Sequence, residues 1–300
     1  MSRRNESTGS KRLGAALDSS RILPDVERLA RTTDGVEIRY DVAGEGAPTL
    51  VFVHGWSCDR AYWQAQMAAF AATNQVVAID LAGHGASGAD RADWTMAAYG
   101  NDVAAVAAEM HLDDMVLIGH SMGGDVIVEA AHVLRNRVRG LVWVDTYGRV
   151  GPPQTPEQLE AILAPLRNDF AGRCNRLVRG MFLGDADPKL VARVASDMAA
   201  APPAVALPSV ANSLANEARI AERLDGLGLP CFAINSGYIK TDVASLAEHG
   251  VTTRVIDGLG HFPMLEDPAR FNAVLREVLA EMTSLKADAR DSTRALRGSA

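Results

Sequence analysis

The sequence predicts an α/β fold with a mostly parallel central sheet flanked by helices. Three observations predict it. Short apolar runs recur at Thr49–Val53, Val76–Ile79 and residues 115–118, 140–144 and 231–234, each with the length and continuity of a strand buried on both faces. Helical patterns separate most of them, as crossovers between parallel strands require. His54, Asp80, Ser121 and Asp145 stand at the carboxyl ends of four runs, where reactive groups gather in such sheets.

Taken in order, residues 36–42 alternate apolar and polar side chains and predict a half-exposed edge strand. Ala43-Gly44-Glu45-Gly46-Ala47-Pro48 is a turn. Thr49–Val53 ends at His54-Gly55-Trp56, and a helix is expected over residues 60–71. Val76–Ile79 leads into Asp80-Leu81-Ala82-Gly83-His84-Gly85-Ala86-Ser87-Gly88, and an Ala-rich helix follows over residues 95–110. From Thr146 to Gly228 no strand pattern occurs. Thr155-Pro156-Glu157-Gln158 has the form of a capping box with proline at the first helical position, and Asp187-Pro188 opens a helix in the same way. Residues 146–228 are therefore expected to be a helical insertion lying over the rim as a lid. The core comprises residues 25–145 and 229–283. The sheet resumes at 231–234 and 252–256, with a helix over 243–249 between them. Gly258-Leu259-Gly260-His261-Phe262-Pro263 is a loop, and Asp267-Pro268 caps a last helix ending at about Met282.

The 300 residues carry a net charge of −7 and 48% apolar side chains, ample for a packed core. The acidic balance argues against a nucleic-acid partner. No run reaches the roughly 18 apolar residues of a membrane span, so no membrane partner is expected. Cys58, Cys174 and Cys231 are odd in number, far apart and without metal-ligand spacing, which points to a reducing, cytoplasmic compartment. Arg3-Arg4 is followed by polar residues, with none of the apolar stretch an export signal needs. Residues 1–24 and 284–300 are read as polar tails, the first of them mobile.

The most informative stretch is Gly119-His120-Ser121-Met122-Gly123, between an apolar strand and the start of a helix. A strand that reverses into a helix around one residue forces that residue into a strained backbone and leaves no room for bulky neighbours. Ser121 would thereby be held clear of the sheet at a helix N-terminus, whose partial positive charge favours a developing anion. A serine hydroxyl is a poor nucleophile at neutral pH. It needs an imidazole to take its proton, and the imidazole needs a carboxylate to fix its tautomer.

His54-Gly55-Trp56, Asp80-Leu81-Ala82-Gly83-His84-Gly85-Ala86-Ser87, the Ser121 stretch and Gly260-His261-Phe262-Pro263, in this order, resemble the α/β-hydrolase fold family over about residues 30–283. The resemblance implies that Ser121 is the nucleophile and His261 the base, with the acid between them in sequence. It implies that the backbone amides of Trp56 and Met122 hold the oxyanion. Many relatives carry the acid shortly after the penultimate strand, but that turn reads Asn235-Ser236-Gly237-Tyr238-Ile239. Two aspartates compete. Asp145 ends the strand after the elbow helix, the other site relatives use. Asp242 comes three residues after the vacant turn and also suits the first turn of a helix. The vacant turn favours Asp145, with Asp242 the alternative. His54, Asp80 and His84 are expected to brace loops, and His120 to pack at the elbow.

The implied activity is that of a cofactor-free serine hydrolase on a small-molecule ester or related acyl substrate, working through an acyl-enzyme. Trp56, Phe170 and Phe182 are candidates for an apolar substrate pocket, although packing of lid helices alone would also account for the phenylalanines. No phosphate-binding glycine loop or metal-binding histidine pair occurs. The same triad in relatives also supports peracid formation and carbon–carbon bond hydrolysis, and a low-turnover ligand receptor is the rival from another class.

Overall fold

Parallel strands buried on both faces must be joined by crossovers, and the chain obeys this from its third strand onward. The structure is a computed structural model that describes residues 28–298 except Pro153, with side chains described to residue 285. The expected N-terminal tail (1–24) lies outside the described residues.

The elements run β1 (Arg28–Arg31), β2 (Glu37–Ala43), β3 (Thr49–Val53), α1 (Gln64–Phe70), β4 (Val76–Ile79), α2 (Met96–Glu109), β5 (Met115–His120), α3 (Met122–Leu134) and β6 (Val138–Val144). A run of helices follows: α4 (Pro156–Asn168), α5 (Phe170–Arg179), α6 (Pro188–Ala199), α7 (Pro203–Asn216) and α8 (Ile220–Asp225). The core then resumes with β7 (Cys231–Ser236), α9 (Val243–Glu248), β8 (Val251–Ile256), α10 (Pro263–Glu266) and α11 (Pro268–Gly298). One sheet of eight strands has the order β1-β2-β4-β3-β5-β6-β7-β8. β1 and β2 pair antiparallel, as do β2 and β4, and every other pairing is parallel. The sheet's central residues, from Leu50 to Val53 and Leu141 to Val144, are fully enclosed by the flanking helices. No single helix among the described residues is long and apolar enough to cross a membrane.

Three local expectations are corrected. The strand expected at the edge, β2, is flanked by β1, which pairs Ala30 with Ile38. Only four residues long and half arginine, β1 has too little apolar pattern to be read from the chain. The helix expected over 60–71 opens as a 3₁₀ turn, Arg60–Trp63, before α1. The last helix passes Met282 and continues to Gly298, because the sequence beyond Met282 offers Ala, Leu, Lys and Arg with no proline, and no glycine before Gly298, to stop it. By contrast, both hydrogen bonds of the Thr155/Gln158 capping box form.

The parallel register sets the rim. Val53 lies opposite Gly119, His120 opposite Val144, and Val144 opposite Ile234. The residues that follow, His54, Ser121, Asp145 and Asn235, therefore emerge side by side. At the elbow, a Cβ on Gly119 would sit 2.2 Å from the Gly123 carbonyl oxygen, and one on Gly123 would sit 2.6 Å from the carbonyl oxygens of Val53 and His54. These contacts are backbone against backbone, so no side chain can move aside. Gly119→Ala should therefore lower stability by about 1–3 kcal/mol or more in urea unfolding. Gly184→Ala, where an added Cβ meets nothing within 4 Å, should stay within about 0.5 kcal/mol of the parent.

Candidate active site

Ser121 has φ 51° and ψ −121°, outside the allowed regions for an L-residue, at the junction of β5 and α3. Its amide donates to Val144 O at 2.9 Å and its carbonyl accepts from Gly124 N at 2.8 Å, and these bonds hold the strained turn. The side chain is half-buried at the N-terminus of α3.

His261 reaches the same rim from the loop before α10. Its amide donates to Met181 O in the helical insertion at 2.8 Å, and its carbonyl accepts from His120 Nε2 at 2.8 Å. Glu266 fixes the loop by accepting from the amides of Gly260 and Phe262 at 2.9 and 3.1 Å. The imidazole Nδ1 lies 2.9 Å from Asp145 Oδ2. With the carboxylate as acceptor, Nδ1 carries the hydrogen and Nε2 is the nitrogen left to take a proton.

Asp145 is fully buried, with φ 50°, and its amide continues the sheet by donating to Ile234 O at 3.1 Å. Ser236 donates to it twice, from its amide to Oδ1 at 2.6 Å and from Oγ to Oδ2 at 3.0 Å. Ser236 belongs to the turn that has no acid of its own. It supplies donors to the acid on the neighbouring strand instead. Nothing in its own stretch of sequence signals this; the β6/β7 register does. Asp242, the other aspartate considered, is exposed and caps α9 by accepting from Ser245 N at 3.1 Å. The structure brings Asp145 and His261 together and gives Asp242 to a helix.

The Trp56 amide lies in the turn after β3 and the Met122 amide at the first position of α3. Among the described residues neither donates to another group. The Trp56 ring meets Phe170 edge-on at 6.0 Å between centroids, and its Nε1 donates to Ala206 O of α7 at 2.7 Å. Phe182 stacks on Phe262 at 5.2 Å, and Phe262 adjoins His261 at 5.3 Å. Tyr238, which the sequence did not single out, lies 5.6 Å from the His261 ring.

The remaining rim groups serve the loops. Burial pushes His54 down to about 4, so it is neutral at pH 7. Its Nδ1 bonds Gly55 O at 2.8 Å and its Nε2 accepts from Leu81 N at 3.0 Å. His84 is pushed down to about 3, chiefly by burial, and bonds Ala82 O at 3.0 Å. Asp80 accepts from the amides of Arg60 and Ala86 and pairs with the Arg60 guanidinium. His120 is held well below the usual histidine range, chiefly by burial, and bridges the elbow to the His261 loop.

The profile of the Alpha/beta hydrolase family matches residues 50–274. The chain is 27% identical over 251 residues to a pimeloyl-[acyl-carrier protein] methyl ester esterase of Edwardsiella ictaluri, covering 79% of this chain and 95% of that one. Among solved structures it is similar to a thermophilic esterase from Thermogutta terrifontis, with a TM-score of 0.73, 25% identity and coverage of 85% of this chain and 98% of that one. It is also similar to Est816, described as an N-acyl homoserine lactone degrading enzyme, with a TM-score of 0.69, 28% identity and coverage of 83% and 99%.

Because Asp242 acts as a cap, Asp242→Ala should destabilise the protein by about 0.5–2 kcal/mol in urea unfolding. It should leave the catalytic rate per folded molecule unchanged.

Proposed function

The chain belongs to the alpha/beta hydrolase family, and we propose that within it this protein cleaves a carboxylic ester through an acyl-enzyme on Ser121. The observation that carries this reading is the 2.9 Å bond between His261 Nδ1 and the buried Asp145, at the rim where Ser121 is held in a strained turn. Ester cleavage is also the activity in the names of the Edwardsiella and Thermogutta proteins.

Ser121 Oγ attacks the substrate carbonyl carbon while His261 Nε2 takes its proton. Asp145 keeps the hydrogen on Nδ1 and stabilises the imidazolium as it forms. The oxyanion accepts from the Trp56 and Met122 amides, and the N-terminus of α3 favours its charge. Collapse expels the alcohol, which takes the proton from His261. A water molecule then attacks the acyl-enzyme by the same route in reverse, with His261 as base, and releases the acid. This sequence uses no cofactor. Trp56, Phe170 and Phe182 form the apolar wall for a small or medium-sized acyl or alcohol group. The α4–α8 layer serves as the lid. The three cysteines are free and buried, which suits a reducing compartment, and we assign the enzyme to the cytoplasm.

The test is hydrolysis of short p-nitrophenyl esters by the parent and by Ser121→Ala. The parent should exceed the variant by about 10³-fold or more, and equal rates would remove the esterase reading. Asp145→Asn should cost about 10⁴-fold in kcat, the loss expected when the imidazole adopts the wrong tautomer. A loss of that size for Asp242→Asn instead would overturn the choice of acid.

A further inference from the structure

The segments that follow β6 and β7 enclose, with the helical insertion, a cavity of about 310 Å³. Its walls are residues 146–149, 151 and 152 after β6, Ile239 and Lys240 after β7, and Glu217 and Ile220 of the insertion. A volume of this size lies at the small end for a ligand site.

Hydrogen bonding along these walls is one-sided. The carbonyls of Tyr147, Gly148 and Val150 accept from Asn235 Nδ2 at 2.9 Å, Asp242 N at 2.7 Å and Ser245 Oγ at 2.9 Å. Those bonds fasten the stretch after β6 to the stretch after β7 and use up its acceptors. The amides of Tyr147, Gly148, Arg149 and Lys240, by contrast, donate to nothing among the described residues. A loop with spare N–H groups and few spare carbonyls suits an anion.

The charges point the same way. Arg149 and Lys240 are exposed, and neither side chain forms a hydrogen bond or salt bridge among the described residues. In a chain of net charge −7, the cavity therefore sets two cations against one carboxylate. That carboxylate, Glu217, accepts from Gln154 Nε2 at 3.3 Å to each oxygen. Burial pushes Glu217 up, against the Gln154 hydrogen bond and the Arg149 charge, so it gives up its own charge more readily than an exposed glutamate. Ile220 and Ile239 add apolar surface to the same walls.

We propose that this cavity binds a small organic anion, a carboxylate or phosphate on a short hydrocarbon chain. Arg149 and Lys240 supply the positive charge, the loop amides the hydrogen bonds, and the two isoleucines the contact for the chain. The anion arrives either as one end of an ester substrate or as a free ligand. Only the first of these sources rests on the ester-cleavage reading.

The experiment is calorimetric titration of the parent, Arg149→Ala, Lys240→Ala and Glu217→Gln with butyrate, butyl phosphate and uncharged butyramide. The parent should bind butyrate or butyl phosphate saturably and butyramide not at all. Arg149→Ala and Lys240→Ala should each weaken that binding by about 10-fold or more, as loss of a charged donor does. Both should melt at the parent's temperature, because both side chains are exposed. Glu217→Gln should tighten binding by removing the opposing charge. No saturable binding of either anion, equal binding of butyramide, or binding untouched by both alanine variants would overturn the inference. Hydrolysis of monomethyl glutarate and methyl butyrate then distinguishes the sources. A preference for monomethyl glutarate that Arg149→Ala removes puts the anion on the ester, whereas anion binding without that preference makes it a free ligand. Titration needs no turnover, so its result stands even if Ser121→Ala hydrolyses esters as fast as the parent, which would remove the ester-cleavage reading alone.

Discussion

A carboxylate with no solvent contact must be met by hydrogen-bond donors, and the rim of this protein is arranged around meeting one. Asp145 receives the Ser236 amide, the Ser236 hydroxyl and His261 Nδ1. A buried charge left without such partners would be strongly destabilising. Each donor comes from a different constraint. Ser236 is delivered by the parallel pairing of β6 and β7, and His261 by a loop that Glu266, His120 and Met181 hold from three sides. The left-handed backbone at Asp145 and Ser121 is tolerated because these surroundings over-determine it.

The helical insertion is tied to the same rim at several points. The Trp56 indole bonds Ala206 O, and Met181 O receives the His261 amide. A third tie is Asp125 on α3, buried and pushed up to about 6 chiefly by desolvation. It accepts from Tyr147 Oη at 2.5 Å and from Ser213 Oγ and Asn216 Nδ2 of α7 at 2.8 and 3.1 Å. These donors are neutral, so the group joins the elbow helix to the insertion by hydrogen bonding rather than by an ion pair. Movement of α7 would therefore be felt at the helix that begins beside Ser121.

The histidines divide by surroundings. His54, His84 and His120 are enclosed, and burial keeps each neutral at pH 7, so each can donate from one nitrogen and accept at the other. His54 uses both functions to tie the turn after β3 to the loop after β4. His261 alone among these four has a carboxylate partner.

The sequence by itself determined the α/β class, the strands from β3 onward, the helical excursion after β6 and the glycines around Ser121. These rest on local rules: apolar runs of strand length, capping residues, and space that only glycine leaves. Through the resemblance it carried, it also narrowed the expected carboxylate partner of His261 to two aspartates. The tertiary structure alone decided which of the two meets His261, since that depends on the loop before α10 being held against the end of β6, 116 residues from Asp145 to His261 along the chain. It likewise revealed Ser236, Glu266, Tyr238 and the short edge strand β1. None has a distinctive local pattern, and each gains its role from a neighbour brought close only by folding. A hydrogen-bond partner distant in the chain leaves no periodicity to read, whereas a strand or a cap does.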